Sequence, residues 1–334
     1  MKVILCTGDS HTCGQYSEGQ SSWDYESLGY NILGKGFTRS AAFDGKCYVN
    51  QIRNFITEYT DSAVENMDIS GWGTEIARMC KVKNPLTIAG GCDMLLLKIG
   101  EKQRENAVSV YLDGEFYRRK VLCAPVTRYG IWSFTYMAIP CTGKQKIELV
   151  PENGPVHIDS CERWSGEYMV VNCGVGSCTM ERYLQECIPD LIDEFQPYAF
   201  LAEVHTVNDW VKGNTVEAYG SALADALKVM TENAELTVAI TVPAVLREEP
   251  LPYTKDFYRN FVAESYRVIK QAGVPMADVH RAFRERAGDR SAEELLCSLY
   301  GDDLHPAQEG NDLYAEVIIE SLKRYLSGKR GCKQ

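Results

Sequence analysis

The chain has no C-x-x-C pair, no apolar run of membrane-spanning length, no surplus of basic residues and no tandem repeat or low-complexity tract. Each absence excludes something. Thirteen cysteines without paired spacing argue against a zinc site or a disulfide framework. Many of them, such as Cys6, Cys92, Cys123 and Cys187, sit inside apolar patterns, so they read as buried free thiols of a reducing cytoplasm. Short apolar runs exclude a membrane span. The run after Lys2 is too short for a signal peptide and reads as a first β-strand, which predicts a cytoplasmic protein. A net charge of -11 argues against a nucleic-acid partner, which would need a basic footprint. Histidine is scarce too, so any imidazole base must come from five residues.

What is present is an ordinary globular composition: 334 residues, 45% hydrophobic and 24% charged. That length suits one large domain or two smaller ones. The first apolar run, Val3–Thr7, ends in Gly8-Asp9-Ser10. A polar, glycine-rich stretch from Gly14 to Gly45 reads as a long loop, and residues 46–60 carry a helical apolar face. From Pro85 to Cys161 the pattern becomes short apolar or alternating runs, with Asp113-Gly114 as a hairpin turn. This spacing predicts an antiparallel β-sandwich over roughly residues 68–165. From Tyr168 onward strands alternate with helices. Strands are expected at 169–171, 198–204, 236–242 and 274–278, and helices at 179–195, 215–231, 255–272 and 308–326. That alternation predicts a parallel sheet with helices on both faces.

Ligands of open α/β sheets bind at the carboxyl ends of the strands. Three such ends carry Ser10, the turn Asn172–Ser177 and Asn208-Asp209. A hydroxyl, exposed amides and a side-chain amide in one cleft suit ester cleavage, where one oxyanion donor is worth about 3–4 kcal/mol of barrier. The serine needs a base. Among the histidines, His11 adjoins the serine, and its side chain is expected to point away on an extended segment. His157 lies in the sandwich and His280 starts a helix. His205 could line the cleft. Only His305 follows a carboxylate at three residues, Asp302, on a loop entering a helix. Asp302 is preferred over its neighbour Asp303 on spacing.

These blocks resemble the SGNH (GDSL) hydrolase family. The resemblance is carried by Gly8-Asp9-Ser10-His11-Thr12, Val170–Thr179, Val207-Asn208-Asp209 and Asp302-Asp303-Leu304-His305-Pro306, and it covers roughly residues 1–60 and 166–327. It implies a flavodoxin-like three-layer α/β/α domain built from residues 1–67 and 166–330; the jelly-roll-like β-sandwich expected at 68–165 interrupts it and is not part of the minimal family domain. It also implies Ser10 as nucleophile, His305 as base and Asp302 as its partner. The oxyanion hole would draw on the Ser10 N–H, a turn N–H and the Asn208 side chain. The chain departs from the family pattern twice. Ser177 stands at the last glycine position of the turn, with Gly176 before it, so either N–H could donate. Thr206 stands where the third block has glycine.

The expected activity is a cofactor-free, metal-free serine esterase acting through an acyl-enzyme. The inserted sandwich resembles the accessory module of SGNH carbohydrate esterases, which implies a short acyl group, such as acetyl, on a carbohydrate or small molecule. A lipase, lysophospholipase or thioesterase of the same fold is the first rival, and an inert carbohydrate-binding protein the second. Asp9, His205 and Trp210 are expected to contact substrate. Trp23, Tyr25, Trp72, Trp132 and Trp164 are weighed as sugar-stacking faces against plain core packing. A homo-oligomer stays open.

Overall fold

The computed structural model describes residues 1–15, 17, 43–76, 79–100, 106–122, 135–246, 251–252, 254–296 and 298–327. Trp23, Tyr25 and Trp132, most of the Gly14–Gly45 stretch, and Cys123, Cys297 and Cys332 lie outside them. The strands in chain order are β1 (Lys2–Gly8), β2 (Ala63–Asn66), β3 (Thr74–Ile76), β4 (Met79–Val82), β5 (Leu86–Ala89), β6 (Met94–Ile99), β7 (Ala107–Leu112) and β8 (Glu115–Val121). They continue with β9 (Thr135–Pro140), β10 (Lys146–Glu152), β11 (Val156–Ser165), β12 (Tyr168–Gly174), β13 (Ala199–Glu203), β14 (Leu236–Ile240) and β15 (Met276–Ala277).

One sheet is wholly parallel, in the order β12-β1-β13-β14-β15. Counted within this sheet alone, that is the 2-1-3-4-5 order of flavodoxin-like doubly wound folds. Strand β1 is buried from Val3 to Gly8 and β13 along its whole length. Continuous burial is what a strand covered on both faces requires. Two groups of helices supply the covers. Tyr48–Tyr59 packs with Gln308–Ser327 and the latter with Val279–Ala287, while Val216–Glu232 packs with Tyr258–Ala272 and Met180–Arg182. The predicted helix over 179–195 is present but carries a π-helical turn at Tyr183–Cys187 before Ile188–Phe195. The helices Thr206–Val211 and Ala292–Leu296 are additions to the sequence reading, too short to show a period.

The segment between β1 and β12 forms two antiparallel sheets. One runs β5-β10-β7-β8; the other runs β3-β4-β11-β6-β9, with β2 also on β11. Antiparallel pairing begins at Ala63, earlier than the change of sequence texture near residue 68. Side chains of both sheets meet in one apolar cluster that includes Leu95, Leu97 and Ile99 of β6 with Val108, Val110 and Ile147 of β7 and β10. The expected hairpin stands at Asp113-Gly114, where both residues have positive φ, 53° and 87°. That is the backbone a two-residue turn of this hand demands. All ten cysteines among the described residues are free and buried.

Glu194 of Ile188–Phe195 ties the antiparallel strands to the parallel unit. Its side chain is only 5% exposed. It accepts from the Arg118 guanidinium at 2.6 Å, the Ala138 N–H at 2.6 Å and the Lys120 ammonium. Removing one partner of a buried ion pair strands the other charges. Glu194→Ala is therefore expected to lower stability by about 3 kcal/mol in urea unfolding, with Glu194→Gln losing less because it still accepts from Arg118.

Candidate active site

Strand β1 ends at Gly8, and the chain turns at once. The Asp9 carboxylate caps the turn by accepting from the His11 N–H at 3.0 Å. Ser10–Cys13 forms a single helical turn, closed by Gly14 at φ +84°. The expectation that His11 would point away on an extended segment is thus corrected. The cap makes this segment helical, and the His11 ring turns inward, its centroid 5.3 Å from that of His305. Gly8 has to be glycine for reasons of space, since a Cβ there would run into the Thr12 hydroxyl and the Glu203 carboxylate.

At the other chain end, the Asp-x-x-His spacing makes a compact loop. Asp302 Oδ1 accepts from the Leu304 N–H at 2.8 Å and the His305 N–H at 2.6 Å. The same carboxylate meets His305 Nδ1 at 3.0 and 2.8 Å. An ionised carboxylate only accepts, so Nδ1 carries the proton and Nε2 offers a lone pair. His305 Nε2 lies 2.9 Å from Ser10 Oγ. The loop is pinned by Gly301 N–H on the His305 carbonyl at 2.8 Å. Asp303 is tied from its carbonyl, which accepts from the Leu246 N–H at 3.1 Å. Partial burial opposes ionisation of Asp302, but the His305 ring and the two N–H groups outweigh it and hold its carboxyl down at about 2.

Asn208 and Asp209 lie in the helix Thr206–Val211, just past β13. Asn208 Nδ2 donates to Asp9 Oδ2 at 2.5 Å, which places its amide one side chain away from the serine turn. Asp209 accepts from the Met180 N–H at 2.8 Å and Asn214 Nδ2 at 2.6 Å. Burial lifts the Asp209 carboxyl to about 6 against these bonds. The turn after β12 is held on β1 by Val175 N–H on the Gly8 carbonyl at 2.9 Å. The Ser177 carbonyl accepts from the Lys212 ammonium. Ser177 adopts φ +57°, the left-handed region that favours glycine, at the position where the family pattern has glycine.

Three expected substrate contacts are corrected. Trp210 is 2% exposed. Its indole N–H donates to the Asp256 carbonyl at 3.1 Å and its ring packs on Tyr258. It follows Asn208 by two positions on a helix, and such residues face different ways. His205 is buried, its Nδ1 on the Cys178 carbonyl at 2.8 Å and its ring edge-on to Tyr183. Asp9 is fully buried, with both oxygens engaged by His11 and Asn208. Of the remaining aromatics, Trp164 is fully buried in the core and Trp72 is partly buried against the cluster of the antiparallel sheets.

Sequence reading missed Glu203. It ends the otherwise apolar strand Ala199–Glu203 and is buried against His11, Thr12 and Tyr48. An acid inside an apolar strand was the available signal, because a buried charge needs partners. Asp9, His11 and Glu203 are the one group among the described residues with metal-ligand spacing. Their atoms are already matched to one another, with His11 Nδ1 at 2.9 Å from Glu203 Oε1 and 3.2 Å from Asp9 Oδ1. A metal there would have to displace the proton that joins them.

A serine, a histidine and an aspartate thus lie in a hydrogen-bonded relay at the carboxyl edge of the parallel sheet, next to its switch point. A solved peptidoglycan O-acetylesterase shares the fold, with a TM-score of 0.55 at 13% identity over 98% of this chain and 92% of its own. A mutant of an acetylxylan esterase from Geobacillus stearothermophilus aligns over 96% of this chain and 94% of its own, at 12% identity and a TM-score of 0.45. No protein-family model and no curated protein matches the sequence. The chain therefore shares its fold with that O-acetylesterase over nearly its whole length.

The Asp302 carboxylate generates a prediction. Asp302→Asn puts an N–H donor or a weaker acceptor against Nδ1 and favours the wrong imidazole tautomer. The turnover of any ester that wild type cleaves is expected to fall by about 10³–10⁴-fold. Because the folded carboxyl is depressed, its contribution to stability is complete above about pH 4 and is lost as pH falls toward about 2. Wild type and Asp302→Asn should therefore converge in stability across that window in acid titrations followed by circular dichroism.

Proposed function

We propose that this chain is a serine ester hydrolase that removes a short acyl group, acetyl, from a carbohydrate through an acyl-enzyme. The observation that carries this reading is the relay Ser10 Oγ to His305 Nε2 at 2.9 Å and His305 Nδ1 to Asp302 at 2.8 Å. In it, His305 takes the Ser10 proton as Oγ attacks the ester carbonyl, then returns it to the departing alcohol. A water deprotonated by His305 then releases the acid and regenerates Ser10. Asp302 holds the ring tautomer and stabilises the imidazolium.

The oxyanion is received by three donors. Ser10 opens its helical turn, so its N–H has no partner within that turn. Asn208 gives one amide hydrogen to Asp9 and keeps the second for the oxyanion. For the third we favour Ser177 over Gly176, because Ser177 stands at the last glycine position of the family turn and takes up the left-handed backbone that glycine would, φ +57°. In this reading Asp9 positions Asn208 and does not touch substrate. No metal or cofactor enters the scheme.

The two antiparallel sheets with their shared cluster support an inserted β-sandwich domain between a first hydrolase segment, 1–67, and a second, 166–330, with pairing from Ala63 moving the boundary a few residues earlier. The acetyl assignment is supported by the activity of a structural neighbour, a peptidoglycan O-acetylesterase. A cytoplasmic location remains part of the proposal; among the described residues no helix is long and apolar enough to cross a membrane.

Aryl esters of increasing acyl length test the reading. Wild type is expected to prefer acetate, and Ser10→Ala to lose at least about 10³-fold in kcat. A preference for long chains would point to a lipase or thioesterase, and an inactive wild type to a binding protein. Release of acetate from acetylated xylan and from acetylated peptidoglycan then separates the carbohydrate substrates.

A further inference from the structure

The relay leaves unassigned the most demanding arrangement beside it. Asp9 and His11 are fully buried and Glu203 is 2% exposed. Ionisable groups removed from water persist only when closely paired. The pairing here is specific. His11 Nδ1 faces two carboxylate oxygens at once, Glu203 Oε1 at 2.9 Å and Asp9 Oδ1 at 3.2 Å. His11 Nε2 lies 3.0 Å from the Leu304 carbonyl oxygen, which can only accept. The second Glu203 oxygen is engaged by the Thr12 hydroxyl and lies 3.4 Å from the Tyr48 hydroxyl.

Nε2 must therefore carry a hydrogen. If Glu203 held the other proton and Nδ1 were bare, the Nδ1 lone pair would face Asp9 Oδ1 at 3.2 Å with no hydrogen between them. A proton on Nδ1 satisfies both carboxylates. Burial would strip this proton, but Asp9 and Glu203 outweigh it and raise the His11 pKa well above its ordinary value. Burial opposes ionisation of Asp9 as well, and the His11 cation holds its carboxyl well below the usual range. The groups around the ring are these two carboxylates, the buried His205, whose own pKa is lowered by burial, and the rings of His305 and Tyr314.

Leu304 immediately precedes His305. We propose that His11 is a positioning residue, a buried imidazolium that joins Glu203 at the end of β13 to the Leu304 carbonyl and so sets the His305 loop against the serine next to it. The serine turn, the strand beside it and the base loop then share one hydrogen-bonded centre. Any slip of the loop changes the Ser10–His305 distance, and misplacement by about 1 Å is enough to cost about 10²-fold in rate. The proposal rests on Ser10 and His305 being the reacting pair.

Two measurements test it. In wild type, ¹⁵N-detected imidazole NMR at about pH 8, where an ordinary histidine is neutral, should show both His11 ring nitrogens protonated. A single protonated nitrogen would overturn the proposal, and this readout needs neither turnover nor a variant that folds. The second is a pair of variants. His11→Gln can still reach the Leu304 carbonyl with an amide N–H, whereas His11→Asn keeps only the donor near Glu203. His11→Asn is expected to lose about 10- to 100-fold in kcat at unchanged KM, with His11→Gln recovering most of it. Equal losses in the two variants, or a change in KM instead of kcat, would overturn it. If wild type cleaves no ester, the proposed function fails, while the NMR result still decides the state of His11.

Discussion

A single hydrogen bond, Ser10 Oγ to His305 Nε2, joins residues 295 positions apart, and most of the surrounding structure serves to hold its length. A serine is a poor nucleophile without a base at bonding distance. The sheet order solves the long-range part of the problem. β1 lies between β12 and β13, so the turn after β1, the turn after β12 and the helix after β13 open onto one edge. The switch point of a doubly wound sheet is where such folds leave room for a ligand. The short-range part is solved by side chains that cap their own loops, Asp9 for the serine turn and Asp302 for the base loop.

The carboxylates divide into distinct tasks by environment. Asp302 is partly open to solvent and faces the His305 imidazole. Asp9 and Glu203 are buried and face His11, which is itself fully buried. Asp209 holds the start of Met180–Arg182 and thereby the turn containing Ser177. Each of these acids meets an N–H donor or a cation, as buried carboxylates must. The outcome is a rigid frame beneath a small reactive surface.

Much of this frame was legible in the sequence. The relay could be read because each half is a local motif: Gly-Asp-Ser at a strand end, and Asp-x-x-His with the spacing that lets the aspartate cap its own histidine loop. The Asp113-Gly114 hairpin and the long helices could be read from turn chemistry and period. Four features carried no readable pattern. The direction of His11 follows from the Asp9 cap, and the partner of Glu203 lies almost two hundred residues away. Trp210 is turned inward by a helix of six residues, too short to show a pattern. Strand β2, at Ala63–Asn66, is mostly exposed and shows no apolar alternation, so its pairing with β11 left no trace in the sequence.

The most direct measurement of the central claim is covalent. Treatment with a fluorophosphonate ester, followed by peptide mapping by mass spectrometry, reports which serine is activated. A single phosphonyl adduct on Ser10, lost when His305 is replaced by alanine, is the predicted result. Adduct on a different residue, or labelling of Ser10 that persists without His305, would contradict the account.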